Sequence, residues 1–181
     1  MSRICYLAIT ITLTCAATVT AGAATDLLGD DLPKGAIQRL GSLRMRYGSV
    51  SDLGYLPDGR VVVASGNGID VWDMSIGERL ARHRISSAGL TGFHIRDDGR
   101  MLVACDNAGN VYEWDIDQAA VVREWPADQP RLVSICYSAD ETRVLTCGAS
   151  PPTIKEWRLD TGEELVAIAP KLHSARQAIY T

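Results

Sequence analysis

Pro57-Asp58-Gly59-Arg60-Val61-Val62-Val63-Ala64-Ser65-Gly66-Asn67-Gly68-Ile69-Asp70-Val71-Trp72-Asp73 decides the fold, because the chain writes this phrase three times. The second copy runs from Asp97-Asp98-Gly99 to Glu113-Trp114-Asp115, and the third from Asp140-Glu141 to Glu156-Trp157-Arg158. The tryptophans stand 42 and 43 residues apart, and Asp58, Asp98 and Asp140 stand 40 and 42 apart. A period of this length is one supersecondary unit that cannot bury its own faces and must stack on its neighbours.

Working outward from the turn, each copy reads as four strands. The first covers residues 50–56, 90–96 and 132–138. Its apolar positions match across the copies: Val50, Leu90 and Leu132; Leu53, Phe93 and Ile135; Tyr55, Ile95 and Tyr137. The Asp-Gly turn then reverses the chain, because Asp bonds its own backbone and Gly accepts positive φ. A short apolar run follows in each copy, Val61 to Ala64, Met101 to Ala104 and Val144 to Cys147, as expected of a strand covered on both faces. The third strand carries the tryptophan. A turn at Ser75-Ile76-Gly77 or Asp160-Thr161-Gly162 leads to an outer strand, residues 79–85 or 165–169. The fold class is therefore all-β, with three four-stranded antiparallel blades of a propeller type in an incomplete or open ring.

These residues resemble the WD40 repeat family: the Asp-Gly turns (Asp58, Gly59, Asp98, Gly99, with Asp140 in the third copy), the apolar second strand, and the closing Trp72-Asp73 and Trp114-Asp115. Gly77-Glu78 and Gly162-Glu163, five residues after Trp72 and Trp157, add to the likeness. The resemblance covers about residues 40–181 and implies a non-catalytic scaffold that binds proteins through its faces. The leader with residues 36–41 looks like that of exported bacterial members. The family's stabilising network joins a His before the first strand, a Ser or Thr on the second, the Trp, and an Asp in the intervening turn. Here Tyr47 stands near the first His position, and Asn67, Ala108 and Pro151 replace the Asp. Most of that network is expected to be missing, and Trp157 is followed by Arg158 rather than Asp.

The blades are expected at about 48–89, 90–131 and 132–172 within a repeat region of 42–181, with a fourth beginning at 173–181. The opening strand Leu43 to Tyr47 reads as the outer strand of a last blade. An open stack leaves apolar faces uncovered, so a truncated propeller, or self-association through those faces, is expected.

Residues 1–23 read differently. Arg3 is followed by an uncharged apolar run, Ile4 to Cys15, and by small residues around Ala21 and Ala23. This is the pattern of a secretory signal peptide. Removal gives an exported, soluble chain, periplasmic or extracellular, in which residues 24–41 form an extended leader. Retention as a membrane anchor is the less favoured reading. The mature chain keeps Cys105, Cys136 and Cys147, an odd number. Three buried thiols are expected, with a Cys136–Cys147 bridge as the alternative.

Composition and motifs narrow the chemistry. The chain is 46% hydrophobic with formal charge −4, and no Lys/Arg stripe offers a phosphate track, so nucleic acid is not an expected partner. His83, His94 and His173 lack metal-ligand spacing. The acidic pairs Asp97-Asp98, Asp30-Asp31 and Glu163-Glu164 read as turns or solvated positions. No catalytic residue, metal or cofactor is assigned, and the protein partner has no name from sequence. Trp125 lies outside the repeat pattern, either as an exposed contact or as an edge cover. The alternative function is a fragment of a quinoprotein-like propeller enzyme, whose Asp-x-x-Thr-Gly turns resemble the Asp160-Thr161-Gly162 turn. That class places its Trp after the turn, where Leu80 and Leu165 stand here.

Overall fold

A computed structural model of the chain describes residues 25–26, 29–38, 46–127, 129, 131–171 and 173–180. The expected signal peptide, residues 1–23, lies outside them, as do residues 43–45 of the expected opening strand. The chain divides into two compact units, Met1–Ser42 and Leu43–Thr181. In the first, Thr25 bridges Asp31, and the Asp26 carboxylate accepts the Asp30 amide at 2.9 Å.

The described residues of the second unit form strands and the turns and loops between them. The first sheet contains β1 (Asp52–Tyr55), β2 (Val61–Ser65), β3 (Gly68–Asp73) and β4 (Glu78–Arg84). The second contains β5 (Leu90–Ile95), β6 (Met101–Asp106), β7 (Asn110–Asp115) and β8 (Ala120–Pro126). The third contains β9 (Leu132–Tyr137), β10 (Arg143–Ala149), β11 (Pro152–Arg158) and β12 (Glu164–Ile168). Each sheet is an antiparallel meander with its strands in chain order. All five residues of β2 are buried, as the unbroken Val-Val-Val-Ala run requires of a strand covered on both sides. The last strand joins each sheet through a register shift one residue before the tryptophan, at Val71/Trp72, Glu113/Trp114 and Glu156/Trp157. This repeated bulge increases the local twist.

Two apolar cores stack the sheets. Val62, Ala64, Ile69 and Val71 of the first sheet meet Leu90, Phe93, Leu102 and Trp114 of the second. Val103, Cys105 and Val111 on the opposite face of the second sheet meet Leu132, Ile135, Val144 and Trp157 of the third. Trp114 and Trp157 therefore each face the sheet before their own. Among the described residues Trp72 has no such sheet, and it packs with Val61 and Val63 against Tyr47.

That asymmetry separates the three copies. Leu90, Phe93, Leu132, Ile135 and Tyr137 are buried, yet their counterparts Val50, Leu53 and Tyr55 are exposed. The uncovered apolar end expected from sequence thus exists along the β1 side of the first sheet, while Tyr47 covers its centre. At the other end, the Cys136 thiol approaches the Ala178 carbonyl at 3.5 Å and the Tyr180 hydroxyl donates to Glu156 at 2.9 Å. Residues 173–180 include no strand, so their described part does not begin a fourth sheet. Arg46 and Tyr47 likewise belong to no strand.

Candidate functional site

The signature residues hold turns. Asp58, Asp98 and Asp140 each accept the amide two residues on, at 3.0, 2.9 and 3.2 Å. Gly59 and Gly99 follow at φ 90° and 71°. In the third copy Glu141 takes that left-handed position at φ 53°, and its side chain is put to use. It accepts the Asp97 amide at 2.9 Å and pairs with Arg96 at 2.9 Å, tying the second sheet to the third. Asp73 caps the next turn through the Ser75 amide at 2.8 Å, and Asp115 does so through Gln118 at 2.8 Å. Where Arg158 replaces the Asp, it pairs with Glu163 across the same turn at 3.2 Å.

The network expected to be missing is rebuilt with other residues. Trp157 Nε1 donates to Thr146 Oγ1 at 2.9 Å, Thr146 donates to Gln129 Oε1 at 2.6 Å, and Gln129 Nε2 donates to the Thr153 carbonyl at 2.9 Å. Gln129 fills the role of the absent His because its amide can accept and donate at once. In the first copy Trp72 Nε1 donates to the Tyr47 hydroxyl. In the second, Asp106 collects the Ser86 and Tyr112 hydroxyls at 2.7 and 2.8 Å and the Ala108 and Asn110 amides at 3.0 and 2.9 Å. Burial alone would raise its carboxyl, but these donors hold it below the usual carboxylate range. Trp114 there packs against His83 with the rings tilted by 45° and their centres 5.3 Å apart. Three copies thus use three chemistries, because only the third carries a hydroxyl at the Thr146 position; Val63 and Ala104 stand there in the others.

The remaining chemistry-bearing residues have structural placements. His94 lies edge-on to Tyr137, with centres 5.9 Å apart. Among the described residues no group of three or more His, Cys, Asp or Glu could hold a metal ion. Cys105, Cys136 and Cys147 are free and buried, and burial pushes the Cys105 thiol up to about 12. Cys136 pairs with Leu145 and Cys147 with Ser134, so the two thiols share a face only diagonally. Diagonal neighbours sit about 7–8 Å apart, beyond disulfide reach. Trp125 is buried in the second core, against Gly162, so it covers an edge rather than marking an exposed contact. Its N–H has no hydrogen-bond partner among the described residues. Among those residues no helix is long and apolar enough to cross a membrane.

What remains unabsorbed is the outer face of the first sheet. Leu53 is 60% and Tyr55 71% exposed, with Val50 beside them. On the same face, two strands from Leu53, Asp70 is buried within ion-pair distance of Arg82 and Arg79, at 3.5 and 3.8 Å, and Arg79 lies over the Trp72 ring at 5.9 Å. Sequence comparison of the copies missed this contrast because their side chains are alike; only the stacking order shows which copy lacks a cover. Gln129, Asp106 and Ser86 were also missed, since they lie at positions that differ between copies.

No protein-family model matches the chain. It is similar to "Protein groucho" of Drosophila melanogaster, 26% identical over 114 residues that cover 61% of this chain and 16% of that protein. The chain therefore spans about a sixth of the length of that curated relative. The similarity and the three four-stranded antiparallel sheets together support a WD40-like propeller architecture.

Proposed function

We propose that the chain is a non-catalytic protein-interaction scaffold of WD40-like blades, acting in an exported compartment once residues 1–23 are removed. One observation carries the interaction reading: Val50, Leu53 and Tyr55 are exposed where their counterparts in the other two sheets are buried, or in the case of Ile95 partly buried, against a neighbour. Such a row favours a protein surface that completes it, whether from a second copy or from another polypeptide, because burying apolar area is the main drive for association. Export is supported by Arg3, the uncharged run after it and the small residues at Ala21 and Ala23.

The test is light scattering on the chain without residues 1–23, alone and after cross-linking in its native compartment. A defined assembly or a single cross-linked protein is expected, lost in a Leu53→Ser/Tyr55→Ser variant of unchanged thermal stability. A monomer whose cross-links survive that double substitution would remove the apolar row from the interaction.

A further inference from the structure

A second feature of the same sheet lies away from the apolar row. Arg82 stands opposite Asp70 and Arg84 opposite Gly68, while Gly68 stands opposite Ser65. Cross-strand partners share a face, so the row Ser65–Gly68–Arg84 has a side chain at each end and none between. The gap is enforced, since a Cβ on Gly68 would lie 2.4 Å from the His83 carbonyl oxygen. Arg46 and Tyr47 help close this gap into a cavity of about 780 Å³.

The charges in this cavity do not balance. Asp70, 1% exposed, stands in the next row of the same face and is shared between Arg79 and Arg82. No acidic side chain lines the cavity among the described residues. Arg46 and Arg84 meet no carboxylate within ion-pair distance among those residues. Ser65, only 6% exposed, lines the cavity with a hydroxyl that no hydrogen bond engages among the described residues. On a chain of formal charge −4, this concave site thus holds two guanidiniums, Arg46 and Arg84, that no carboxylate of the described residues pairs, which favours an anionic group there.

We propose that this notch binds a carboxylate of an acidic peptide segment, between Arg84 and Ser65 and alongside Arg46. A carboxylate matches the planar fork of an arginine and accepts a further bond from a hydroxyl, which is the donor set present. A nucleic-acid backbone would need neutralising charge along its length, and no such stripe leaves the notch.

The experiment is fluorescence anisotropy of the full chain with a labelled Glu-rich peptide and its Gln-for-Glu counterpart, at low and high salt. The Glu peptide is expected to bind at least about tenfold more tightly than the Gln peptide, and less tightly as salt rises. Arg84→Gln and Arg46→Gln are each expected to weaken it by about tenfold, and Ser65→Ala by about threefold. Leu53→Ser/Tyr55→Ser leaves it unchanged, so this site and the apolar row succeed or fail separately. Equal binding of the two peptides, or unchanged binding in both arginine variants, overturns the proposal. Competition by inorganic phosphate, or by an oligonucleotide of equal charge, as strong as that by the unlabelled Glu peptide would also overturn it.

Discussion

Thr146 shows how much a single hydroxyl holds. It accepts the indole N–H of Trp157 and donates to Gln129, all three buried. Thr146→Val keeps the shape but leaves a buried donor and a buried acceptor unpaired. The expected loss is about 2–4 kcal/mol in urea unfolding, against about 1 kcal/mol for Thr146→Ser, which keeps both bonds. Equal losses would show that the methyl group matters rather than the hydroxyl. Asp106 gives the matching prediction in pH. Its folded carboxyl lies below the ordinary value, so its contribution is present above about pH 4 and fades as pH falls through the folded pKa. Asp106→Asn should therefore be less stable than wild type near neutrality, with the two converging as the solution is acidified from about pH 4 through the lowered folded pKa. Urea midpoints measured across that range check it; parallel curves would rule the carboxylate out. Turn aspartates were legible in sequence because Asp-Gly has one local reason to occur. Gln129 and Asp106 were not, because their partners lie 17 and 20 residues away, at Thr146 and Ser86.

The turn between β6 and β7 links two sheets through one glycine. Gly109 has φ 90°, and a Cβ there would lie 2.4 Å from the Gln129 carbonyl oxygen. Gly109→Ala therefore meets both a backbone penalty and a collision with the residue that holds Thr146 and Trp157. A loss of about 2–3 kcal/mol is expected. Because both changes act through Gln129, adding Thr146→Val should cost less than the sum of the two, by about 1 kcal/mol in a double-mutant cycle. Strict additivity would mean that the turn and the hydrogen-bond chain are independent. At this scale the sequence reading did well. Strand positions came within about two residues, since β2, β6 and the tryptophan strands have patterns set by their own covered faces. It did less well where cover comes from elsewhere. Val50, Leu53 and Tyr55 look like their buried counterparts, and nothing local distinguishes a strand that lacks a neighbour.

Across the whole described stack, the second sheet joins the other two, and its two faces are not equivalent. Towards the first sheet it offers Phe93, Leu102 and Trp114, with Phe93 N–H donating to Asp52 at 3.1 Å and Leu90 N–H to the Gly66 carbonyl at 2.7 Å. Towards the third it offers Val103, Cys105 and Trp125, the Arg96–Glu141 pair, and the Arg123 guanidinium on the Leu159 carbonyl. Trp125 packs in this second core and contacts the Gly162 turn of the third sheet. Removing it should therefore uncouple one interface while leaving the other intact. Trp125→Ala is expected to cost about 3–5 kcal/mol. Since stability in a stacked array combines each unit with its nearest-neighbour interfaces, that loss should fall unevenly. Hydrogen exchange followed strand by strand would show amides of β9–β12 losing protection well before those of β1–β4. Equal loss in all three sheets would instead mean that the stack opens as one cooperative body, with Trp125 contributing to its total stability and not to a separable joint.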